Sequence, residues 1–160
     1  MSTTIVVLAD THVADENALP VRLLEDMERA DLVVHLGDFT GVDLYRRLRG
    51  RYPLVAVRGN GDSHNELLQL PLRADFAVGD HRLTAIHGHV GGKTAHQSAA
   101  AIGDADVVLF GHSHLPASER LGGRLLFNPG SPTRRRFVPF CSYGILKVGQ
   151  QVGASIVRLD

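Results

Sequence analysis

The stretch Val107-Val108-Leu109-Phe110-Gly111-His112-Ser113-His114 decides the fold of this chain and points to its chemistry. Its first four residues have the length and composition of a buried strand, and they are followed by a glycine and two histidines one residue apart. Open α/β sheets bind their ligands beyond the carboxyl ends of strands, and Gly111 permits a sharp bend there. Because a His-x-His pair also occurs in ordinary surface loops, this stretch needs support from the rest of the chain.

Length and composition predict a soluble globular protein with one domain, residues 1–160. No apolar run has membrane-spanning length, and the amino terminus has no basic segment before its first strand, so we expect a cytoplasmic protein with no membrane partner. The single cysteine, Cys141, excludes an internal disulfide. The 17 basic and 17 acidic side chains cancel, so no overall field attracts nucleic acid. A homo-oligomer is left open.

Four other predicted strands end in residue types that bind metals. Loop positions without a role would show a scatter of serine, lysine, glutamate and threonine, whereas aspartate, asparagine and histidine recur here beside glycine. The strands are Ile5–Ala9, Leu32–Leu36, Leu54–Val57 and Leu83–Ile86. They are followed in turn by Asp10-Thr11-His12, Gly37-Asp38, Arg58-Gly59-Asn60-Gly61-Asp62 and His87-Gly88-His89. Singly, the aspartates and the asparagine would be read as turn residues that hold loop backbones, but jointly with the histidines they favour a metal site.

The segments between these strands predict helices at Leu19–Ala30, Thr40–Arg49 and Thr94–Ile102. Thr40 and Asp43 have the spacing of a capping box. Strands joined through helices should be parallel. His35 lies inside a predicted strand and is expected in the core.

Hairpins dominate the second half of the chain. Phe76–Val78 turns at Gly79-Asp80 into the strand that ends at Ile86, and two more hairpins follow His114. These are Ala117–Leu121 with Arg124–Phe127 and Ser142–Val148 with Val152–Arg158. Because no helix separates the last four strands, we expect them to form a second sheet that packs face to face on the first.

The ligand types indicate the chemistry. Seven side chains are candidates, and they are Asp10, His12, Asp38, Asn60, His87, His112 and His114. Carboxylate, amide and imidazole groups without a thiolate suit manganese first, with nickel, iron or zinc as alternatives. Seven ligands are too many for one ion that leaves room for substrate, so two divalent ions are expected, bridged by a carboxylate and about 3.5–4 Å apart. Such a positive centre favours a small anionic phosphoester, attacked by a metal-bound hydroxide.

The order of these motifs resembles the calcineurin-like metallophosphoesterase superfamily. Asp-x-His, Gly-Asp, Gly-Asn-x-Asp, His-Gly-His and Gly-His-x-His follow one another from Asp10 to His114, and the turn Asn128-Pro129-Gly130-Ser131 is similar to its small bacterial and archaeal phosphodiesterases. The resemblance implies an α/β fold, a four-layer αββα sandwich of two mixed β-sheets flanked by helices. It implies a first metal on Asp10, His12, Asp38 and His114. It implies a second on Asp38, Asn60, His87 and His112, with Asp38 as the bridge.

One position departs from the family pattern and leaves the general acid open. Many members have a histidine after the asparagine, where this chain has Gly61. We predict His64, in the same loop, as a substitute general acid. Asn60, His89 and Arg134 are predicted substrate contacts, although the sequence slightly favours a solvated loop position for His89, and a run such as Arg134 to Arg136 is usually a solvated face.

Two classes of function follow. The first is a hydrolase, a dinuclear phosphodiesterase acting on small phosphodiesters. In it Asp10, His12, Asp38 and Asn60 are catalytic. The second is a catalytically weak protein-interaction scaffold, as in the retromer subunit that resembles this family. Scaffold relatives have lost ligand histidines, whereas His12 and His114 are present here, so the sequence favours the enzyme. A nuclease is a weaker third interpretation, because the net charge is zero.

Overall fold

A computed structural model describes residues 1–159, so Asp160, the last residue of the predicted domain, lies outside the described residues. The strands are β1 (Thr3–Leu8), β2 (Leu32–His35), β3 (Leu54–Ala56), β4 (Arg73–Val78), β5 (His81–Ile86), β6 (Val107–Leu109), β7 (Ala117–Leu121), β8 (Arg124–Asn128), β9 (Cys141–Val148) and β10 (Val152–Leu159). The helices are α1 (Val21–Arg29), α2 (Val42–Arg51), α3 (Asn65–Leu68) and α4 (Ala95–Ala100). Short 3₁₀ turns cover Glu16–Ala18 and Val90–Gly92.

The strands form two mixed five-stranded sheets. The first has the order β10-β9-β1-β2-β3, in which β1, β2 and β3 are parallel and β9 runs antiparallel to β1. The second has the order β4-β5-β6-β8-β7, with β5, β6 and β8 parallel and antiparallel strands at both edges. The carboxyl ends of the parallel strands in both sheets therefore lie in the same region of the molecule, and the candidate ligands lie there too.

Alternation along β1 explains the layers. Ile5 and Val7 point into a core shared by the two sheets, whereas Val6 and Leu8 pack against the helices on the outer face. A strand covered on both faces has no polar face, which is why this segment reads as an unbroken apolar run. The other inner-face residues include Leu83, Leu109 and Phe127 from the second sheet, all buried.

Helices cover both outer faces. Leu23 and Met27 of α1 and Leu44 and Leu48 of α2 pack on the first sheet, while the alanines of α4 pack on the second. The arrangement is the four-layer αββα sandwich that the resemblance implied. Within residues 1–159, no helix combines the length and the apolar character needed to cross a bilayer.

The assignment of strands to sheets corrects one prediction. The last hairpin does not join the second sheet: β9 pairs with β1, for example Val7 with Gly144, and β10 extends the first sheet beyond it. β7 and β8 join the second sheet as expected, next to β6. The local pattern defines a hairpin, but the choice of sheet depends on which strand edge is available in three dimensions, here the side of β1 that β2 leaves free.

The predicted capping box at Thr40 and Asp43 is also wrong. Gly41 is the N-cap of α2, without a side-chain cap, and the N–H of Thr40 donates instead to Asp62 Oδ1 at 3.0 Å. Tertiary contact with another loop replaces the local cap. A genuine capping box occurs at α4, where Thr94 Oγ1 accepts from Gln97 N at 3.1 Å and Gln97 Oε1 accepts from Thr94 N at 3.0 Å.

Candidate metal centre

The loops that follow the parallel strands are joined to one another by hydrogen bonds. Asp10 N donates to Gly37 O at 3.0 Å, which links the loops after β1 and β2. Gly111 N donates to His87 O at 3.0 Å, which links the loops after β6 and β5. His112 N then donates to Asp10 Oδ2 at 3.0 Å and connects the two sheets. Residues more than one hundred positions apart in the chain thus share one site.

Asp10 lies at the centre of the first group of candidate ligands. Its Oδ1 is 3.6 Å from His114 Nε2, and one atom each from Asp10, His12 and His114 lie within 4.8 Å of one another. Asp10 is fully buried, and its Oδ1 has no hydrogen-bond partner among the described residues. A buried carboxylate oxygen without a partner is costly, so the residues present fit a cation at this point.

Asp38 lies between the two groups. Its Oδ2 is 3.4 Å from His12 Nε2 on one side and 3.5 Å from His87 Nε2 on the other. Asp10, Asp38 and His87 form a second group whose ligand atoms lie within 4.8 Å of one another. The carboxylate of Asp38 therefore faces imidazoles from both predicted ligand sets.

His87 gathers the remaining candidates. Its Nδ1 donates to the carbonyl oxygen of Leu36 at 2.7 Å, which fixes the ring and leaves Nε2 directed at the site. Asn60 Oδ1 is 2.9 Å from this Nε2, and His112 Nδ1 is 3.2 Å from it. An amide oxygen and two imidazole nitrogens in one place are a donor set that a divalent transition metal would satisfy.

The backbone at the candidate ligands is strained. Residues other than glycine with positive φ are uncommon, yet six occur in this structure. Five of them are predicted ligands, namely Asp10, His12, Asp38, His112 and His114, with φ between 48° and 70°. Left-handed conformations of this kind persist only where surrounding contacts impose them, and they cluster at functional sites.

Burial and charge shift the pKa values of these groups in opposite directions. Burial raises the pKa of Asp10 to about 7, although the charge of His87 opposes the shift. Burial also acts to raise the pKa of Asp38, but hydrogen bonds from His87 and Gly61 N outweigh it and hold this pKa well below its usual value. Burial lowers the pKa of His114 to about 4, so its imidazole is neutral and able to bind metal at neutral pH.

His87 behaves differently from the other histidines of the site. Burial acts to lower its pKa, but the carboxylates of Asp38 and Asp10 outweigh burial and the pKa is raised overall. A metal ion at this position therefore competes with a proton that the two carboxylates hold on the ring.

Two glycines give Asp38 its space. A Cβ on Gly59 would lie 2.1 Å from Asp38 Oδ1, which no side chain tolerates. Gly37 has φ of 96°, and a Cβ there would lie 2.6 Å from Gly59 N and 2.9 Å from His87 Nδ1. The glycines beside the candidate ligands are thus required by close approach of backbone and side chain.

Sequence reasoning gave no role to Asp62, although it was part of the Gly-Asn-x-Asp motif. This buried carboxylate accepts hydrogen bonds from Asp38 N at 3.0 Å, Gly59 N at 2.8 Å and Thr40 N at 3.0 Å. It holds together the loops after β2 and β3 that carry Asp38 and Asn60. The aspartate of the motif was a usable signal, but the loops it joins are apparent only in the fold.

His35 supports the site through hydrogen bonds to the loops after β1 and β2. It is fully buried, as predicted, and its ring stacks on Phe39 with centroids 3.6 Å apart. Its Nδ1 accepts from Gly37 N at 3.1 Å, so Nε2 carries the proton and donates to Thr11 Oγ1 at 3.0 Å. Burial lowers the pKa of His35 to about 3, which keeps this bridge neutral.

The turn at Asn128 to Ser131 holds the histidine and aspartate loops in place. Asn128 Nδ2 donates to Gly111 O at 3.2 Å and to Ser113 Oγ at 3.1 Å. Ser131 Oγ donates to Asp10 O at 2.8 Å. The turn was predicted from its prolines and glycine, but these contacts to the site were not.

The remaining predicted site residues differ in position. Arg134 lines a cavity of about 540 Å³ together with His12, Asp38, Asn60 and other residues of the centre. The half-buried ring of His89 lies 5.3 Å from that of His87 and 6.3 Å from that of His112, but His89 is not among the residues that line this cavity. His64 is exposed and is not among the residues that line the cavity, because it is the N-cap of α3 and its Nδ1 accepts from Glu66 N at 3.2 Å. Its role as a general acid stays a prediction.

Comparison with known proteins agrees with the geometry. The model of the calcineurin-like phosphoesterase superfamily domain matches residues 3–151. A "Probable metallophosphoesterase" of Methanothermobacter thermautotrophicus is 32% identical over 95% of this chain and 90% of its own length. The phosphodiesterase YfcE of Escherichia coli is 36% identical over 59% of this chain and 53% of its own length.

Solved structures share the fold. That of the phosphoesterase Yfce from E. coli has a TM-score of 0.69 at 27% identity, covering 89% of this chain and 87% of that one. Wild-type Vps29 from Entamoeba histolytica, complexed with Zn²⁺, has a TM-score of 0.73 at 24% identity, covering 97% of this chain and 98% of that one. The second likeness concerns the fold alone.

Proposed function

This chain belongs to the calcineurin-like phosphoesterase superfamily, and from that premise we propose that it hydrolyses small phosphodiesters at a centre that holds two divalent metal ions. Membership of the family makes it a metal-dependent phosphoesterase. The number of ions, the preference for diesters and the roles of individual residues are parts of the proposal. The phosphodiesterase name of the E. coli relative supports the choice of diesters.

One observation carries the dinuclear assignment. Asp38 Oδ2 lies 3.4 Å from His12 Nε2 and 3.5 Å from His87 Nε2, so this carboxylate would be within reach of an ion in either ligand set. In this proposal Asp10, His12, Asp38 and His114 hold the first ion. Asp38, Asn60, His87 and His112 hold the second. Manganese is our first expectation, with nickel, iron or zinc as alternatives, because the ligands are oxygen and imidazole nitrogen.

The protein's own residues define the geometry of the reaction. When bound, the ions supply a nucleophilic water of lowered pKa and positive charge for the phosphoryl oxygens. Asp10 and Asp38 are held by backbone N–H groups of His112 and Gly61 at 3.0 and 2.7 Å, so neither carboxylate needs to reorganise. Asn60 turns its Oδ1 toward His87, which leaves its amide N–H₂ free to donate to a substrate oxygen.

The leaving group needs a proton, and two histidines are candidates for its donor. His64 follows from the sequence. His89 follows from the structure, because its ring lies beside those of His87 and His112 on the side of the second ligand set. Its Nδ1 is buried and has no hydrogen-bond partner among the described residues.

The scaffold alternative rests on the likeness to Vps29. That likeness extends over nearly the whole chain, but it does not bear on activity. All seven candidate ligands converge here, and a cavity opens beside them. These observations support the enzyme.

Metal analysis combined with rates on matched aryl esters tests the proposal. We expect about two manganese ions per purified chain and faster hydrolysis of bis(p-nitrophenyl) phosphate than of p-nitrophenyl phosphate. Asp38→Asn should lose metal and at least about 100-fold in rate, because the shared ligand is removed. Asp80→Asn, an exposed residue in the turn between β4 and β5, is the matched control. An Asp38→Asn variant that retains metal content and rate would refute the bridging role.

A further inference from the structure

The cavity beside the candidate metal centre is lined on one side by consecutive arginines. Arg134, Arg135 and Arg136 face a volume of about 540 Å³ that also contains His12 and Asp38. This volume is in the range of small-ligand sites. The lining consists of polar or charged side chains and one glycine, which suits a compact polar ligand rather than an apolar one.

These three arginines lack carboxylate partners among the described residues, whereas five other arginines have one. Arg46 is paired with Glu66, Arg51 with Glu28 and Arg73 with Asp104. Among residues 1–159, no carboxylate lies within ion-pair distance of the guanidinium groups of Arg134 to Arg136. Their charges are therefore available to a ligand.

The loop that carries the arginines is fixed to the site. Thr133 Oγ1 donates to Thr11 O at 2.5 Å, and Arg134 N donates to Ser131 Oγ at 3.0 Å. Ser131 Oγ in turn donates to Asp10 O at 2.8 Å. The arginine backbone is thus tied to the loop of two candidate ligands, so the side chains are presented at the cavity by an anchored segment.

Charge bookkeeping indicates more than one anionic group in the ligand. Two divalent ions with the carboxylates of Asp10 and Asp38 and one bound hydroxide would leave one positive charge, and the arginines add three. A simple phosphodiester has a single negative charge. Arginine stays protonated at any working pH and binds phosphate oxygens through paired N–H groups, so a second phosphate is the complementary group.

We propose that Arg134, Arg135 and Arg136 form a second phosphate subsite, and that the substrates of this centre are small phosphoesters that carry a further phosphate group. The inference rests on the proposed function for the ester that is cleaved, but the subsite itself is a binding property. The second phosphate lies on the side of the cavity nearest the loop after β1, because the arginine loop is anchored to Asp10 and Thr11 of that loop.

A pair of substrates that differ only in the second phosphate tests this. Thymidine 5′-(p-nitrophenyl phosphate) has one phosphate, and its 3′-phosphorylated form has two. With the manganese-loaded protein we expect kcat/KM to be about 10-fold or more higher for the second compound, since a charge-assisted contact contributes that much. Arg134→Gln/Arg136→Gln should reduce this ratio toward one, and Arg135→Gln should reduce it less than the double variant does.

Binding separates failure of the subsite from failure of the proposed function. Calorimetry should show that thymidine 3′,5′-bisphosphate binds more tightly than thymidine 5′-phosphate, and that the double variant loses this difference. If neither ester is hydrolysed but the binding difference is present, the proposed function fails and the subsite stands. If the wild-type protein neither hydrolyses the ester with two phosphates faster nor binds the bisphosphate more tightly, the subsite is refuted.

Matched variants exclude indirect effects. Arg29→Gln removes an exposed arginine at the end of α1. It should leave unchanged both the ratio of kcat/KM values for the two esters and the ratio of affinities for the two nucleotides. Arg134→Lys/Arg136→Lys retains the charge and should recover part of the preference, because the paired geometry alone is lost. Preferential, strongly salt-dependent cleavage of single-stranded DNA over both nucleotides would overturn the assignment to small ligands.

Discussion

Asp62 Oδ2 accepts a hydrogen bond from the backbone N–H of Asp38 at 3.0 Å, so a buried carboxylate that does not line the cavity positions one that does. The same oxygen accepts from Gly59 N at 2.8 Å. Asp38 has φ of 60°, a conformation that the chain adopts only under constraint. Asp62 provides that constraint without being a candidate ligand itself.

Replacing Asp62 should therefore weaken metal binding. Asp62→Asn presents an amide nitrogen in place of one accepting oxygen, and residues that orient ligands in this way typically contribute about 10–100-fold to metal affinity. Titration of the metal-free protein with Mn²⁺ measures the effect. Asp31→Asn is the matched control, because Asp31 Oδ2 also accepts from a backbone N–H, that of Thr4 at 2.8 Å, far from the site. Equal Mn²⁺ affinity of the two variants would contradict the prediction.

The raised pKa of Asp10 predicts that the free energy of unfolding of the metal-free protein falls as the pH rises. Burial raises its pKa from 3.8 to about 7, so the folded state favours the protonated form. The stability this residue contributes is complete below pH 3.8 and is lost as the pH rises through 7. Asp10→Asn should lack this dependence, so the free energy of unfolding of the wild-type protein relative to the variant should fall by up to about 4 kcal/mol between these pH values.

Chemical denaturation at several pH values measures that difference. The comparison with Asp10→Asn cancels the contributions of His35 and His114, whose lowered pKa values act in the opposite direction. Saturation with Mn²⁺ should abolish the loss at neutral pH, because a cation stabilises the ionised carboxylate. A constant difference across the pH range would show that Asp10 is ionised in the metal-free protein.

His64 and His89 are separated by a leaving-group series. Protonation of the leaving oxygen matters most when the leaving group is poor. Replacing the responsible histidine with Gln should therefore slow the hydrolysis of methyl phenyl phosphate by about 10²–10⁴-fold. It should slow the hydrolysis of methyl p-nitrophenyl phosphate, which has the better leaving group, by less. We expect this pattern for His89→Gln, whose ring lies 5.3 Å from that of His87. His96→Gln, at an exposed position on α4, is the control. An equal slowing of both esters would exclude the replaced histidine as the acid.

Gly59 is predicted to be irreplaceable. A Cβ at this position would lie 2.1 Å from Asp38 Oδ1 and 2.4 Å from Asp38 N, so Gly59→Ala should displace the carboxylate and abolish binding of at least one metal ion. Gly50→Ala is the control, because nothing lies within 4 Å of a Cβ there. Because Gly50 lies within α2, Gly50→Ala should instead raise the free energy of unfolding by about 0.5–1 kcal/mol. Metal content and thermal unfolding of both variants measure these effects.

The positions of the candidate ligands were predictable because they depend on local rules. An apolar, β-branched run of strand length followed by glycine and a polar residue marks a strand end, and parallel strands place such ends together. Asp10 and His112 are more than one hundred residues apart, yet each was identified from its own strand. The hairpin turns at Gly79 and Gly122 also followed from local patterns.

Contacts between distant segments were not predictable. The role of Asp62 depends on three backbone N–H groups that no spacing reveals, and one of them, that of Thr40, donates to this carboxylate while Gly41 begins α2 without a side-chain cap. The sequence places His64 in the loop of Asn60, but in the fold its ring caps the short helix α3.

The sequence by itself determined which residue types follow each strand, and hence the class of chemistry. Tertiary structure alone decided which edge of β1 receives the last hairpin, and that the arginine loop is anchored at Asp10 and Thr11. The physical reason is that side-chain alternation and glycine turns are encoded within a few residues, whereas strand pairing and loop anchoring are chosen by competition among all available partners in the folded chain.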